Sequence, residues 1–511
     1  MKQLQAFTNP KTNLPIVSHF INGELTLGTS QKTSPIYNPS AGEIIAETAL
    51  GTVSDVDAAV QAAKSSFHPW QNVSALKRAR YFFELKSLLE KNKEKLAAII
   101  SREHGKVLSD ALGEVQRGIE VIEYACAAPQ LLKGDFSHSI STGIDCYDMR
   151  KPLGVCVGIT PFNFPAMVGM WMFPLALACG NTFILKPSEK DPSVSLLLAQ
   201  LVKEAGFPDG VFNIVQGDKV VVDALLTHPD VAAVSFVGST PIAHYIYETA
   251  SKHGKRVQAL GGAKNHCVVM PDADLKSAVS GIMGAAYGSA GERCMAISVA
   301  VVVGEETANK LIAGLKEEIS KLHIGASDDH ASEMGPLITA EHRANVVRLI
   351  ESGIKQKADL VVDGRHVMVK GHEKGFFLGA SLFDHVKPEM EIYQKEIFGP
   401  VLCVVRVKTL DEAVNLINQN PYANGAAIYT QSGSAARYYA AKIDAGMVGI
   451  NIPIPVPLAF HTFGGNKNSM FGGHHMYGEE AIRFYTRLQT ITARWDLPEV
   501  AKKQHFVMPT M

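Results

Sequence analysis

Apolar residues recur at helical spacing through residues 50–133, whereas beyond about 152 they gather into short unbroken runs, and this switch divides the chain into zones. In the first zone Val56, Ala59, Val60 and Ala63 share one helix face, with Ser54 and Asp57 read as the capping box ahead of them. Charged, alanine- and leucine-rich sequence continues this helical pattern over 77–131. In the second zone the apolar runs 155–159, 182–185, 211–215 and 231–237 alternate with helical segments near 166–179 and 193–205. Short apolar runs separated by helices predict parallel strands joined by right-handed crossovers, a doubly wound α/β sheet. A second α/β set runs from Cys267 to about 450, with strands at 297–303 and 401–405 and helices at 306–322 and 339–353. The polar, alternating segments 138–148 and 487–495 either pair as an exposed ribbon that another subunit covers or form two surface loops.

Composition narrows the class. The chain has 511 residues, 46% hydrophobic and 19% charged, enough for large cores in an ordinary soluble protein. A formal net charge of -1 leaves no electrostatic footprint for nucleic acid or an anionic membrane. Seven scattered cysteines without a Cys-x-x-Cys pair argue against a disulfide framework and a structural metal, and for a reducing compartment. The N-terminus has no apolar signal core, so a cytoplasmic location is expected. The most apolar stretch, 164–180, falls short of the roughly 20 residues that span a bilayer and reads as a buried helix.

Four segments carry candidate chemistry. Cys294 lies in the small-residue turn 288–295, just ahead of an apolar strand, and reads as an exposed nucleophile with Arg293 beside it to favour the thiolate. The strand 231–237 delivers Gly238-Ser239-Thr240-Pro241 to a helix start, which is either a pyrophosphate site or an ordinary strand–helix junction. Lys186 and Glu189 follow the strand 182–185. They suit an adenosine ribose, and the carboxylate would repel a 2′-phosphate, favouring NAD over NADP; the alternative is a solvated turn. In the segment 160–165, Asn163 stands between aromatics and prolines, either as an oxyanion-hole amide or as a helix cap. No His-Glu-x-x-His, Walker A or Gly-x-Ser-x-Gly sequence competes with these.

Taken in order, 160–165, 186–189, 236–239, 260–262, 291–294 and Glu396-Ile397-Phe398-Gly399-Pro400 resemble the motifs of the aldehyde dehydrogenase superfamily, over roughly residues 20–495. The segments 261–266, 288–295 and His475-Met476-Tyr477-Gly478 are most similar to its CoA-acylating, semialdehyde-oxidising branch. The resemblance implies an aldehyde dehydrogenase-like α/β fold. Its NAD-binding domain would comprise 1–133 and 152–260, its catalytic domain 261–465, and its bridging oligomerisation β-ribbon 134–151 with 485–505. It implies a homo-oligomer, dimer or tetramer, and a small-molecule partner rather than nucleic acid or membrane.

By the same resemblance Cys294 is the nucleophile, with the Asn163 side chain and the Cys294 N–H as oxyanion hole. Lys186 and Glu189 hold the adenosine ribose and Ser239 the pyrophosphate. Thr160, Phe162, Lys190 and Gly261 lie along the cofactor, and Glu396 binds the nicotinamide ribose. Arg117 and Arg293 are candidates for the substrate carboxylate, Arg117 otherwise being a surface charge on its helix. The chain departs from the wider family at Ala259, where hydrolytic members carry a glutamate that activates water. Without general-base help worth about 10²–10⁴-fold, a thioester on Cys294 is expected to wait for CoA as co-substrate. Alternatives are a hydrolytic enzyme that draws its base from elsewhere, such as Glu396, and a non-catalytic relative; CoA dependence separates the first from the main reading.

Overall fold

The structure, a computed structural model, describes residues 7–495. Residues 1–6 of the expected NAD-binding domain and 496–505 of the expected ribbon lie outside the described residues. Helices fill the first zone: Val53–Gln71, Ala75–Lys91, Lys93–His104 and Leu108–Cys126. The first of them starts two positions before the box read from sequence. Thr52 is the N-cap, its hydroxyl accepts from Asp55 N–H, and Asp55 accepts in return from Thr52 N–H at 2.8 Å. Ser54 and Asp57 fall inside the helix. The shift has a tertiary cause, because Asp55 also accepts from Thr29 N–H (2.9 Å), which pins that carboxylate at the helix start.

Two sheets organise the rest. The first has eight strands, and its parallel centre runs in the order Arg256–Leu260, Val231–Val237, Val155–Ile159, Thr182–Lys186, Phe212–Ile214. Chain order reverses beside Val155–Ile159, the topological switch point at whose strand ends ligands gather in doubly wound sheets. Within the apolar stretch read as a buried helix, Met167–Ala178 is buried at every position and packs against this sheet. Among the described residues no helix is long and apolar enough to cross a membrane.

The second sheet has seven strands, in the order Asp359–Val362, Ser381–Asp384, Val401–Val407, Ile297–Val303, Asn265–Val269, Gly425–Tyr429, Met447–Ile450. Residues 261–264 lead directly from the last residue of Arg256–Leu260 into Asn265–Val269. The C-terminal ends of one sheet's strands therefore meet the N-terminal ends of the other's. The alternating segments do form a ribbon: Ile144–Pro152 pairs antiparallel with Thr486–Arg494 and, on its other side, with Phe136–Ser141.

Candidate active site

Where the two sheets meet lies a cleft of about 610 Å³. Every residue read above as catalytic or cofactor-facing lines it, from Thr160, Phe162 and Asn163 through Lys186, Glu189, Lys190, Ser239 and Gly261 to Cys294 and Glu396. Arg117 and Arg293 do not line it.

The turn that carries Cys294 is made by an unusual backbone. After the helix Leu275–Tyr287, residues Ser289 (φ 53°), Ala290 (φ 50°) and Gly291 (φ 74°) are all left-handed. For the two non-glycine residues this costs about 1–3 kcal/mol each and requires fixed surroundings. At Gly291 any Cβ would fall on the Gly399 carbonyl, so the residue must be glycine. The turn is clamped beyond it. Asn265 Nδ2 donates to the carbonyls of Cys294 (2.9 Å) and Ala296 (3.0 Å), and Asn424 Nδ2 also reaches the Cys294 carbonyl (3.3 Å).

Two features of Cys294 differ from the sequence reading. Cys294 is half-buried rather than exposed, packed against the apolar cluster that contains Trp171, Phe463 and Tyr477. Arg293 does not make it a thiolate. Burial, and then the negative charge of Glu396, push the thiol up to about 12, against smaller opposing pulls from nearby N–H groups and Arg293. The Arg293 guanidinium turns instead to Asp110 (2.5 Å) and the Gly284 carbonyl (3.3 Å).

The Asn163 loop leaves the end of Val155–Ile159 and is held from below. Lys106, fully buried, donates to the Asn163 carbonyl (2.6 Å), pairs with Glu114 (2.8 Å) and lies 4.1 Å from the Phe164 ring centroid. Glu114 in turn accepts from Ala166 N–H (2.9 Å) and Met167 N–H (3.1 Å), so this carboxylate satisfies the first turn of Met167–Ala178. The capping role left open for Asn163 is therefore filled by Glu114.

On the wall formed by the first sheet, Lys186 and Glu189 pair at 3.2 Å. Burial pushes the Glu189 carboxyl up, but the Lys186 charge and local hydrogen bonds outweigh it and hold the group below its ordinary value. Lys190 Nζ sits 4.9 Å from the Phe162 ring centroid, and that ring also stacks on His104 at 6.0 Å. Ser239 is the N-cap of Thr240–Lys252, yet its hydroxyl caps no N–H. Thr240 Oγ1 accepts from Gly262 N–H (2.8 Å), tying this helix start to the crossing between the sheets. The Thr160 hydroxyl is buried without a protein partner.

Glu396 faces these groups from the second sheet. Its Oε1 accepts from Ala263 N–H (2.9 Å), and a Cβ at Gly262 would fall on its carboxylate. Burial raises the Glu396 carboxyl to about 7, opposed by the Ala263 N–H and the Lys264 charge. Ala259 lies fully buried within its strand, between Phe236 and Phe471, and the carboxylates lining the cleft are Glu189, Asp218 and Glu396.

Arg117 stands on the helix Leu108–Cys126 with its guanidinium bound to Glu120 (2.8 Å) and to the carbonyls of Val456 (3.1 Å) and Pro457 (2.7 Å). Tyr477 donates to the same Pro457 carbonyl (3.3 Å), and burial pushes its hydroxyl up against the smaller opposing pull of the Arg117 charge. The sequence did not mark Lys106, Glu114, Asn424 or His342, the last of which lines the cleft. No short-range motif marks them, because their partners come from distant segments.

The aldehyde dehydrogenase family profile matches residues 26–491. A malonate-semialdehyde dehydrogenase of Pseudomonas aeruginosa is 56% identical over 493 residues, covering 96% of this chain and 99% of that protein. Malonate-semialdehyde dehydrogenase 1 of Oceanobacillus iheyensis is 50% identical over 94% of this chain and 98% of its own length. Among solved structures, the methylmalonate-semialdehyde dehydrogenase of Oceanimonas doudoroffii superposes with a TM-score of 0.93 at 53% identity, covering 95% and 99% of the two chains. A Sinorhizobium meliloti protein assigned to the same activity and solved in complex with NAD gives 0.94 at 53% identity with the same coverage.

Proposed function

The chain belongs to the aldehyde dehydrogenase family, and on that premise we propose that it oxidises malonate or methylmalonate semialdehyde with NAD through a thioester on Cys294, then passes the decarboxylated acyl group to CoA as acetyl-CoA or propionyl-CoA. One observation carries the reading: Cys294, Asn163 and Glu396 share a cleft with the Lys186–Glu189 pair, while position 259 offers no base.

The residues present fit a dinucleotide. The helix Thr240–Lys252 begins at the cleft, where Ser239 and Ile242 line it, so its dipole would favour a pyrophosphate there. The Thr160 and Ser239 hydroxyls are uncommitted, and Gly262 leaves room beside Glu396 that a side chain would fill. Glu189 would accept from the adenosine ribose hydroxyls, with Lys186 beside it, and Glu396 would accept from the second ribose. Bound there, NAD supplies a hydride acceptor.

The chain's own groups do the rest. The Cys294 thiol gives up its proton, for which Glu396, titrating near 7, is the acceptor at hand in the cleft. Sγ adds to the aldehyde carbon, and the resulting oxyanion is held by the Asn163 amide and the Cys294 N–H. Loss of hydride from that carbon leaves a thioester with a carboxylate β to its carbonyl. The carbon–carbon bond then breaks, releasing carbon dioxide, and its electron pair passes into the thioester enolate, which takes a proton. The CoA thiolate attacks the thioester carbonyl and frees Cys294. Arg117 lies outside the lining of the cleft and would have to release the Val456 and Pro457 carbonyls to hold a substrate carboxylate.

In this reading 1–133 with 152–260 form the cofactor domain and 261–465 the catalytic domain. The ribbon of 134–151 and 485–505 would join subunits into a dimer or tetramer, and the reduced thiol suits a cytoplasmic setting. Product analysis tests the reading: with NAD, CoA and malonate semialdehyde, acetyl-CoA, carbon dioxide and NADH should appear in equal amounts. Free malonate formed without consumption of CoA would contradict it and favour hydrolysis with Glu396 as base.

A further inference from the structure

Behind Glu396 stands a buried charge that the proposed chemistry does not use. Lys264 closes the crossing between the two sheets and is only 2% exposed. Its ammonium donates to the carbonyls of Ile392 (2.7 Å) and Lys395 (2.8 Å), and among the described residues no carboxylate forms an ion pair with it. Ile392 lies in the short helix Glu391–Gln394, and Lys395 immediately precedes Glu396. The residue before Lys264 grips the carboxylate itself, because Ala263 N–H donates to Glu396 Oε1 (2.9 Å). Two successive residues of the crossing therefore fix Glu396, one by its backbone and one by its carboxyl.

The two carbonyls alone do not explain a cation here. An amide or a hydroxyl could satisfy them without taking a full charge out of water, which is by far the costlier burial. The cost shows locally. Burial holds the Lys264 ammonium below its ordinary value, and burial together with the Lys264 charge pushes neighbouring His266 down to about 3. Glu396 is the carboxylate that feels this charge. Other groups turned toward Glu396 offer it no such support. Its negative charge opposes ionisation of the Cys294 thiol and the Tyr422 hydroxyl. The Lys395 side chain is exposed, and Arg293 is committed to Asp110.

We propose that Lys264 is a positioning residue for the reaction: its buried ammonium holds the Glu396 segment at the cleft and supplies the fixed positive charge against which that carboxylate works. The inference rests on the reading of Glu396 given above, as proton acceptor and ribose ligand.

The test is the rate of the NADH burst with NAD and malonate semialdehyde, followed by stopped flow from about pH 5 to 9. Lys264→Gln keeps N–H donors for the carbonyls but loses the charge. It should move the rising limb of the burst rate up by about one pH unit or more, a loss of about 10-fold below the midpoint. Lys264→Met, which loses the donors as well, should move the limb at least as far and also raise the KM for NAD. The Glu396→Gln background separates positioning from mere structure. There, adding Lys264→Gln should cost less than about 2-fold, since a residue acting through Glu396 has nothing left to act on. Losses that multiply in the double variant, or a rising limb that stays in place in the folded single variants, overturn the inference. So does failure of both neutral variants to fold, which would make Lys264 a structural residue. An unmodified protein that gives no burst overturns the functional reading, and the inference with it.

Discussion

The two walls of the cleft are built from opposite ends of two sheets, and they are held in opposite ways. The wall at the C-terminal ends of the parallel strands pairs Lys186 with Glu189 but leaves two hydroxyls free. Ser239 caps nothing with its hydroxyl, and Thr160 has no protein partner. The wall that carries Cys294 stands at the N-terminal ends of the other sheet, and there the turn is gripped from several sides, although the Ser289 hydroxyl has no partner. Two asparagines grip the Cys294 carbonyl, Arg293 is locked to Asp110, and Glu292 reaches across to Ile338 and His342. A binding wall keeps its donors and acceptors for the ligand, whereas a catalytic turn in strained backbone needs its neighbours to hold it.

Substitutions can break this contrast, and the largest effect belongs to the nucleophile. Cys294→Ala should abolish NADH formation, both burst and turnover, in stopped-flow absorbance; a retained burst would assign the nucleophile elsewhere. Asn163→Ala should slow acylation by about 10²–10³-fold, as loss of one oxyanion donor does elsewhere, with little change in NAD affinity. A loss below about 10-fold would remove Asn163 from the oxyanion hole.

Lys106→Met removes the cation of a buried pair and should destabilise the fold by about 3–5 kcal/mol in denaturant titrations. A cost under about 1 kcal/mol would show that the Asn163 loop is not held from below. The smallest effect concerns pH. The folded protein favours protonated Glu396, with its carboxyl raised from 4.5 to about 7, so this contribution is complete below 4.5 and is lost as pH rises toward 7. Between pH 5 and 8 the unmodified protein should therefore lose about 1–3 kcal/mol relative to Glu396→Gln. Parallel stability curves would contradict the raised carboxyl.

Sequence made the cofactor wall more legible than the nucleophile wall, for a physical reason. Strand ends and helix starts announce themselves locally, through apolar runs, glycine and Ser-Thr-Pro, and these placed Lys186, Glu189 and Ser239 at the mouth of one sheet. Clamps do not announce themselves. Asp110 is 183 residues from Arg293 and Asn424 is 130 from Cys294, and no motif links such pairs. Adjacency misled at Arg293, whose side chain leaves its neighbour for that distant carboxylate. It misled at the first helix too, where Thr29 fixes Asp55 and moves the cap. The support beneath Asn163 was equally hidden, since Lys106 and Glu114 read simply as helix-region charges. Ala259 was legible by its identity, and the structure adds that it sits walled in between Phe236 and Phe471.

On the proposed function the Cys294 thioester waits for CoA because position 259 holds no base to activate water. Rapid mixing of enzyme, NAD and malonate semialdehyde without CoA tests this most directly, with NADH followed by absorbance. The account predicts a burst of about one NADH per active site, then near-stasis that addition of CoA relieves. Steady turnover at full rate without CoA would contradict it.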